Sequence, residues 1–102
     1  MNAMTQPENS ALAKATLELT VYNHPGVMTH VVGLFSRRAF NVDGILCMPV
    51  GDGGQSRIWL LVAADARLDN MMRQLEKLED VCAVRHHAGA HQVFAEVAKF
   101  FV

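Results

Sequence analysis

Cysteine is scarce in this sequence. The two present, Cys47 and Cys82, lie far apart and without metal-ligand spacing. A disulfide-stapled scaffold and a cysteine zinc site are therefore excluded as organising principles, and both thiols are expected to be buried in a reducing compartment. An excess of charge of one sign is also missing. Nine basic residues face ten acidic ones, for a formal net charge of −1, so no polyanionic partner is implied. The one basic doublet, Arg37-Arg38, is expected to be a solvated patch at a helix end. No apolar run approaches the ~20 residues of a membrane span. Met1 to Ala15 carries no apolar core of a signal peptide. These absences point to the cytoplasm, with neither nucleic acid nor membrane as partner.

What is present suits one small folded domain. The apolar share of 51% and the charged share of 19% are those of a globular protein rather than a disordered one. A domain of this size buries only roughly 60–65% of its unfolded surface, so pairing with another chain would add stability. Residues 1–13 are rich in Asn, Gln, Pro and Ser without a clear period and read as a flexible tail. Residues 14–88 form the expected domain, and 89–102 a C-terminal helix or arm.

The domain begins with alternation. Leu17, Leu19 and Val21 face one way, and Thr16, Glu18, Thr20 and Tyr22 the other, as in a half-buried strand. Asn23-His24-Pro25-Gly26 breaks it, since the residue before proline is pushed to extended geometry and glycine permits unusual dihedrals. Val27, Val31, Leu34 and Phe35 recur at helical spacing, predicting a helix over Val27–Ala39 with Arg37 and Arg38 complementing the dipole in its last turn. Val42–Val50 reads as a second strand, with Val42, Gly44, Leu46, Met48 and Val50 on one face. Gly51-Asp52-Gly53-Gly54 is a hairpin signal. Ser56–Ala63 is a third strand, apolar on both faces from Ile58 to Val62, as for a mid-sheet strand or an interface.

Leu68, Met71, Met72, Leu75 and Leu78 mark a second helix over Arg67–Leu78, Val81–His87 a fourth strand, and His91–Phe101 a short final helix or arm. The order strand, helix, strand, strand, helix, strand is the α+β, ferredoxin-like βαββαβ plan. Four antiparallel strands are then backed by two helices on one face, and the other face stays open unless a partner covers it.

The informative stretch is Asn23-His24-Pro25-Gly26-Val27-Met28, between the first strand and the first helix. The first N–H groups of a helix lack internal partners and, with the dipole, favour a carboxylate. Gly26 allows close approach, Pro25 stiffens the turn, and Asn23 offers one acceptor and two donors. A zwitterionic amino acid would fit. The same stretch is also an ordinary turn plus helix cap.

This turn, the ELTV before it and the GLFSRRAFNVDGILCMPV after it resemble the ACT domain of the acetohydroxyacid synthase (acetolactate synthase) small regulatory subunits, isozyme I type, which carry a single ACT domain. The resemblance covers Leu17 to Val84, and the segments IWLLV and LEKLEDV strengthen it. It implies a non-catalytic regulatory subunit that pairs as a homodimer through its sheets and first helices. Such a subunit activates a catalytic (large) subunit and confers feedback inhibition by valine in branched-chain amino-acid biosynthesis. Carried over by matched motif, one chain would contribute Asn23, Gly26, Val27 and Met28 to the valine site. The partner chain would contribute Asn41 and Val42, with His24, Pro25, Ile45 and Cys47 as neighbours. A pocket separates side chains differing by one methylene by only roughly 1–3 kcal/mol, so valine, leucine and isoleucine stay open alternatives. No cofactor is expected in this chain. Thiamine diphosphate, magnesium and FAD would belong to the catalytic subunit.

Other constellations carry less. His86, His87 and His91 have no Cys or acidic partner at metal-ligand spacing and are expected to be exposed near the end of the last strand. His24 and His30 flank the proposed site, where one could bond the ligand or set a pH dependence; solvated or capping roles are the plainer reading. Ser36, Ser56 and Cys47 lack the setting of a nucleophile, so no catalytic residue is expected. An RNA-recognition module shares the plan but needs stacking aromatics and a basic surface, whereas only Trp59 is available mid-strand. A small hydrolase on this fold would need an anion-binding arginine in the first loop, which is NHPG here. A free-standing amino-acid sensor regulating another enzyme is the alternative within the binding class.

Overall fold

The computed structural model describes residues 13–102. The expected tail lies almost wholly outside the described residues. Its last member, Ala13, accepts a hydrogen bond from the Ala64 amide (3.0 Å). Seven elements follow: β1 (Lys14–Tyr22), α1 (Val27–Arg37), β2 (Val42–Val50), β3 (Gln55–Ala63), α2 (Leu68–Glu76), β4 (Val81–Ala88) and α3 (Gln92–Ala98). The four strands form one sheet in the order β2-β3-β1-β4, and every neighbouring pair is antiparallel. This is the ferredoxin-like plan expected from the periodicities.

Alternation along the strands builds two different faces. Ala15, Leu17, Leu19 and Val21 of β1 lie beside Ile58, Leu60 and Val62 of β3, and all seven are fully buried. Val27, Val31, Leu34 and Phe35 of α1 and Leu68, Met71 and Leu75 of α2 close over them. Each large aliphatic side chain so buried contributes about 1.5–3 kcal/mol, which is why the helical stripe and the strand alternation find each other. The β2–β3 hairpin turns through Gly51 and Gly53, both at positive φ, with Asp52 Oδ1 accepting from the Gly54 amide (2.9 Å).

The structure corrects four expectations. First, the helices are shorter than expected: α1 stops at Arg37 rather than Ala39, α2 spans Leu68–Glu76 rather than Arg67–Leu78, and α3 spans Gln92–Ala98 rather than His91–Phe101. Ala39 takes a left-handed φ of 53°, the Phe40 amide donates to Phe35 O (2.9 Å) and the Ala39 amide to Ser36 O (3.0 Å). This reversal seals the helix end, usually with glycine at the left-handed position. Second, a bulge between Val42 and Gly44 splits the face assigned to β2. Val42 therefore packs on the helix side, while Gly44, Leu46 and Met48 lie on the other.

Third, Cys47 and Cys82 are exposed, not buried. Cys47 sits on edge strand β2, and Cys82 falls at the irregularity where β4 shifts register against β1. Fourth, the second sheet face is partly covered by this chain itself. Phe94 of α3 is 8% exposed and packs so tightly on Gly44 that a Cβ there would meet its ring at 2.9 Å. His87 and His91 are half-buried rather than exposed, with ring centroids 5.6 and 4.5 Å from that of Trp59. His86 alone of the three is exposed.

The polar side chains beneath α3 satisfy one another. Thr16 Oγ1 donates to Gly89 O (2.9 Å) and accepts from the His91 amide (2.9 Å). Glu18, only 9% exposed, lies 3.2 Å from Arg57 Nη1 and 2.9 Å from His87 Nε2. Among the described residues, no helix is long and apolar enough to cross a membrane.

Candidate effector-binding turn

The β1–α1 turn lies where β1 ends, beside the β2–β3 hairpin. The Asn23 amide donates to Gly54 O (3.1 Å), and Asn23 Nδ2 donates to Gly53 O (2.8 Å). One side-chain N–H is thus committed to holding the turn against the hairpin. Gly26 stands at φ 89°, a left-handed conformation, at the N-terminus of α1. Among the described residues no side chain caps this end, and no acidic residue sits in the first turn. The Val27 amide donates to His24 O (3.3 Å), whereas the amides of Gly26, Met28 and Thr29 find no acceptor among the described residues. Partial positive charge and unsatisfied donors thus remain at a solvent-facing helix terminus.

The side chains around this terminus divide in two. Val27 is buried in the core, so it supports the turn from behind rather than lining its surface. Asn23, Pro25 and Gly26 are exposed, and His24 and Met28 are half-buried. Met28 and Val32, one helical turn apart, border a shallow depression of about 410 Å³ with Thr29, Gly33 and Ser36. Val32 is exposed, so an apolar side chain of α1 faces solvent beside this depression.

The remaining residues of the expected site are elsewhere. Asn41 and Val42 stand at the far end of α1, where Val62 pairs with Ala15, while Asn23 stands where Tyr22 pairs with Gln55. The eleven residues of α1 separate the two groups, a span of about 16 Å. Ile45 and Cys47 lie on β2, exposed at the sheet edge. Asn41 Nδ2 donates to Asp43 Oδ1 (2.6 Å), and Asp43 also pairs with Lys14. A single chain brings Asn23, Gly26, Val27 and Met28 together but does not bring Asn41 and Val42 to them.

Sequence reasoning missed Asp80. Its carboxylate lies 2.6 Å from His24 Nε2 through Oδ1 and 2.6 Å from His30 Nδ1 through Oδ2. The hydrogen bonds from His30 and then His24 hold the Asp80 carboxyl below the usual carboxylate range. The bond to Asp80, then that to Pro25 O, raises His24 above the usual imidazole range. The LEKLEDV segment marked the end of α2 and the start of β4, but nothing local told that its aspartate reaches a histidine 56 positions away. Among the described residues, no group of three or more His, Cys, Asp or Glu could hold a metal ion.

The four-stranded βαββαβ sheet in the order β2-β3-β1-β4 is the ferredoxin-like fold of the ACT class of domains. Residues 17–83 match the family model described as the AHAS small subunit-like ACT domain. The chain belongs to the acetolactate synthase small subunit family. It is 54% identical over 94 residues to the acetolactate synthase isozyme 1 small subunit of Escherichia coli K12, covering 92% of this chain and 98% of that protein. It is 36% identical over 90 residues to the chloroplastic acetolactate synthase small subunit 2 of Arabidopsis thaliana, covering 87% of this chain but 18% of that longer protein. The crystal structure of the acetolactate synthase small subunit from Thermotoga maritima superimposes with a TM-score of 0.65 at 32% identity, over 72% of this chain and 46% of that one.

Proposed function

We propose that this chain is the regulatory subunit of an acetohydroxyacid synthase. It binds and activates the catalytic subunit and transmits feedback inhibition by valine bound between two copies of the chain. Family membership supports the first part, and the geometry of α1 supports the second. The observation that carries the site is the separation of its two halves. Asn23, Gly26 and Met28 stand at one end of α1, and Asn41 and Val42 at the other. Two chains with antiparallel first helices would join one half from each and form the pocket twice.

The chemistry divides accordingly. The amides of Gly26, Met28 and Thr29 receive the carboxylate of valine, and the Asn23 side chain bonds one of its charged ends. Met28 and the partner's copy of Val42 pack its side chain. The outer edge of β2, unpaired among the described residues and with Ile45 and Met48 exposed, and the side of α1 around Met28 and Val32 are the surfaces available for pairing. The chain has no catalytic step of its own in this reading. Thiamine diphosphate, magnesium and FAD reside in the catalytic subunit. Valine acts by binding two states of the assembly unequally, so the catalytic subunit must in turn alter valine affinity.

The test is Asn23→Ala. The variant should activate the catalytic subunit as the parent does while losing much of its sensitivity to valine. Full valine sensitivity in the variant would overturn the site. Calorimetric titration with L-valine, beside D-valine and L-lysine, should show saturable binding of L-valine alone, at one or two ligands per dimer. The same titration in the presence of the catalytic subunit separates a site completed by that partner from a site that does not exist.

A further inference from the structure

His24 makes two contacts that only one of its protonation states satisfies. Its Nε2 lies 2.6 Å from Asp80 Oδ1, and its Nδ1 lies 2.7 Å from the backbone oxygen of Pro25. Both oxygens are acceptors, so both ring nitrogens must carry protons, which makes the ring an imidazolium. A neutral ring would set a lone pair against a lone pair at one of the two contacts. His30 takes the second carboxylate oxygen at 2.6 Å, its ring centroid 6.5 Å from that of His24.

The two ends of this arrangement differ in rigidity. Asp80 is fixed to the sheet, because its backbone oxygen accepts from the Tyr22 amide (2.9 Å) and Val81 pairs with Val21. Pro25 O belongs to the same peptide unit as the Gly26 N–H, one of the amides without an acceptor. Holding that oxygen holds the plane of the peptide and so the direction of the Gly26 N–H. The Asp80 carboxylate thereby reaches, through one imidazolium, one of the backbone donors proposed to receive the ligand.

We propose that Asp80 is a positioning residue for the effector turn, and that loss of the His24 proton releases the Pro25–Gly26 peptide and weakens binding of the amino-acid effector. This rests on the reading above that the turn receives the effector's carboxylate. The other charged groups bordering the turn do not replace Asp80. Glu79 precedes it and is exposed, and Asp52 of the hairpin spends its carboxylate on the Gly54 amide (2.9 Å). His30 is the contribution of α1, and no lysine or arginine pairs with Asp80 among the described residues. The side chain of His24 is 39% exposed, so its proton exchanges freely with solvent.

The sign follows from the two shifts. His24 is raised, so the clasp is complete below the ordinary imidazole pKa and is lost as pH rises through the raised value of His24. Asp80 is lowered, so the clasp is complete above the ordinary carboxylate pKa and is lost only as pH falls through the lowered value of Asp80. Effector affinity is therefore highest in the window between them.

The experiment has two arms on the full chain. Histidine NMR titration without ligand should place His24 above the ordinary imidazole value, and Asp80→Asn should lower it toward that value. Calorimetry with L-valine, catalytic subunit present, should give affinity severalfold weaker near pH 8.5 than near pH 6, the sign set by the raised His24. That slope should vanish in Asp80→Asn and in His24→Gln, which keeps one donor but cannot titrate. Backbone NMR spectra of each variant establish that it folds, and Asp80→Glu should restore part of the slope. An unshifted His24, or parental affinity that is flat over this range, overturns the clasp. If valine fails to bind at any pH, the effector-site reading fails, and the positioning role with it, while the titration still judges the His24–Asp80 clasp itself.

Discussion

The two ends of α1 are built in opposite ways. At the C-terminus the chain reverses through Ala39, three backbone bonds close on Phe35 and Ser36, and Phe40 packs edge-on against Phe35 at 5.7 Å. Arg67 lies 4.6 Å above the Phe40 ring and donates to Arg38 O (3.3 Å), satisfying a carbonyl beyond the helix. At the N-terminus, among the described residues, only the Val27 amide finds an acceptor: Gly26 offers no side chain, and the amides of Gly26, Met28 and Thr29 stay open. Sealing a helix end contributes to stability, so an end left open at a turn this well anchored is available for a ligand. Anchoring and openness coexist because Asn23 and Asp80 hold the turn from its flanks and not through the donors themselves.

The largest effect that would test the contrast is at the sealed end. Phe40 is 3% exposed, and Phe40→Ala should cost about 3 kcal/mol in chemical denaturation. A loss below about 1 kcal/mol would mean that the reversal, and not the ring, carries the seal. Next is Gly26→Ala at the open end. An added Cβ meets nothing within 4 Å, but φ 89° is strained for alanine, so stability should fall by roughly 1–2 kcal/mol. Valine affinity should fall with it, because relief of the strain turns the peptide away. Unchanged valine affinity would remove Gly26 from the site.

Two smaller changes should push the ends in opposite directions. Thr29→Glu places a carboxylate in the first turn and should stabilise the chain by about 0.3–1 kcal/mol, while weakening valine binding by competing for the same amides. If valine binding is untouched, the amides are not its receptor. Ala39→Gly removes the strain of a left-handed alanine at φ 53° and should stabilise by roughly 0.5–1 kcal/mol with no effect on valine. Both stabilities are read as midpoints of denaturation, and the valine response by calorimetry.

Much of this was legible beforehand because it is local. The alternation of Leu17, Leu19 and Val21, the helical spacing of Val27, Val31, Leu34 and Phe35, and the glycines of the hairpin each depend on neighbours within a few positions. The early stop of α1 was hidden because alanine carries no signal for a left-handed residue. Cys47 and Cys82 were misplaced because edge position and register shift are properties of the whole sheet. His87, His91 and Trp59 look like unrelated surface groups in the chain and become a stack only when α3 folds over β3 and β4.

The order of elements, the faces of the inner strands and the special backbone at Gly26 follow from residue types and short-range sterics, so the sequence by itself determined them. Family membership follows too, since it rests on the run of residues from Asn23 to Val50 and beyond. Tertiary structure alone decided that Asp80 meets His24 and His30, that Glu18 is covered, and that Asn23 and Asn41 stand at opposite ends of α1. These are contacts or separations between residues remote in sequence, set by how the sheet and helices pack, and no local pattern encodes them.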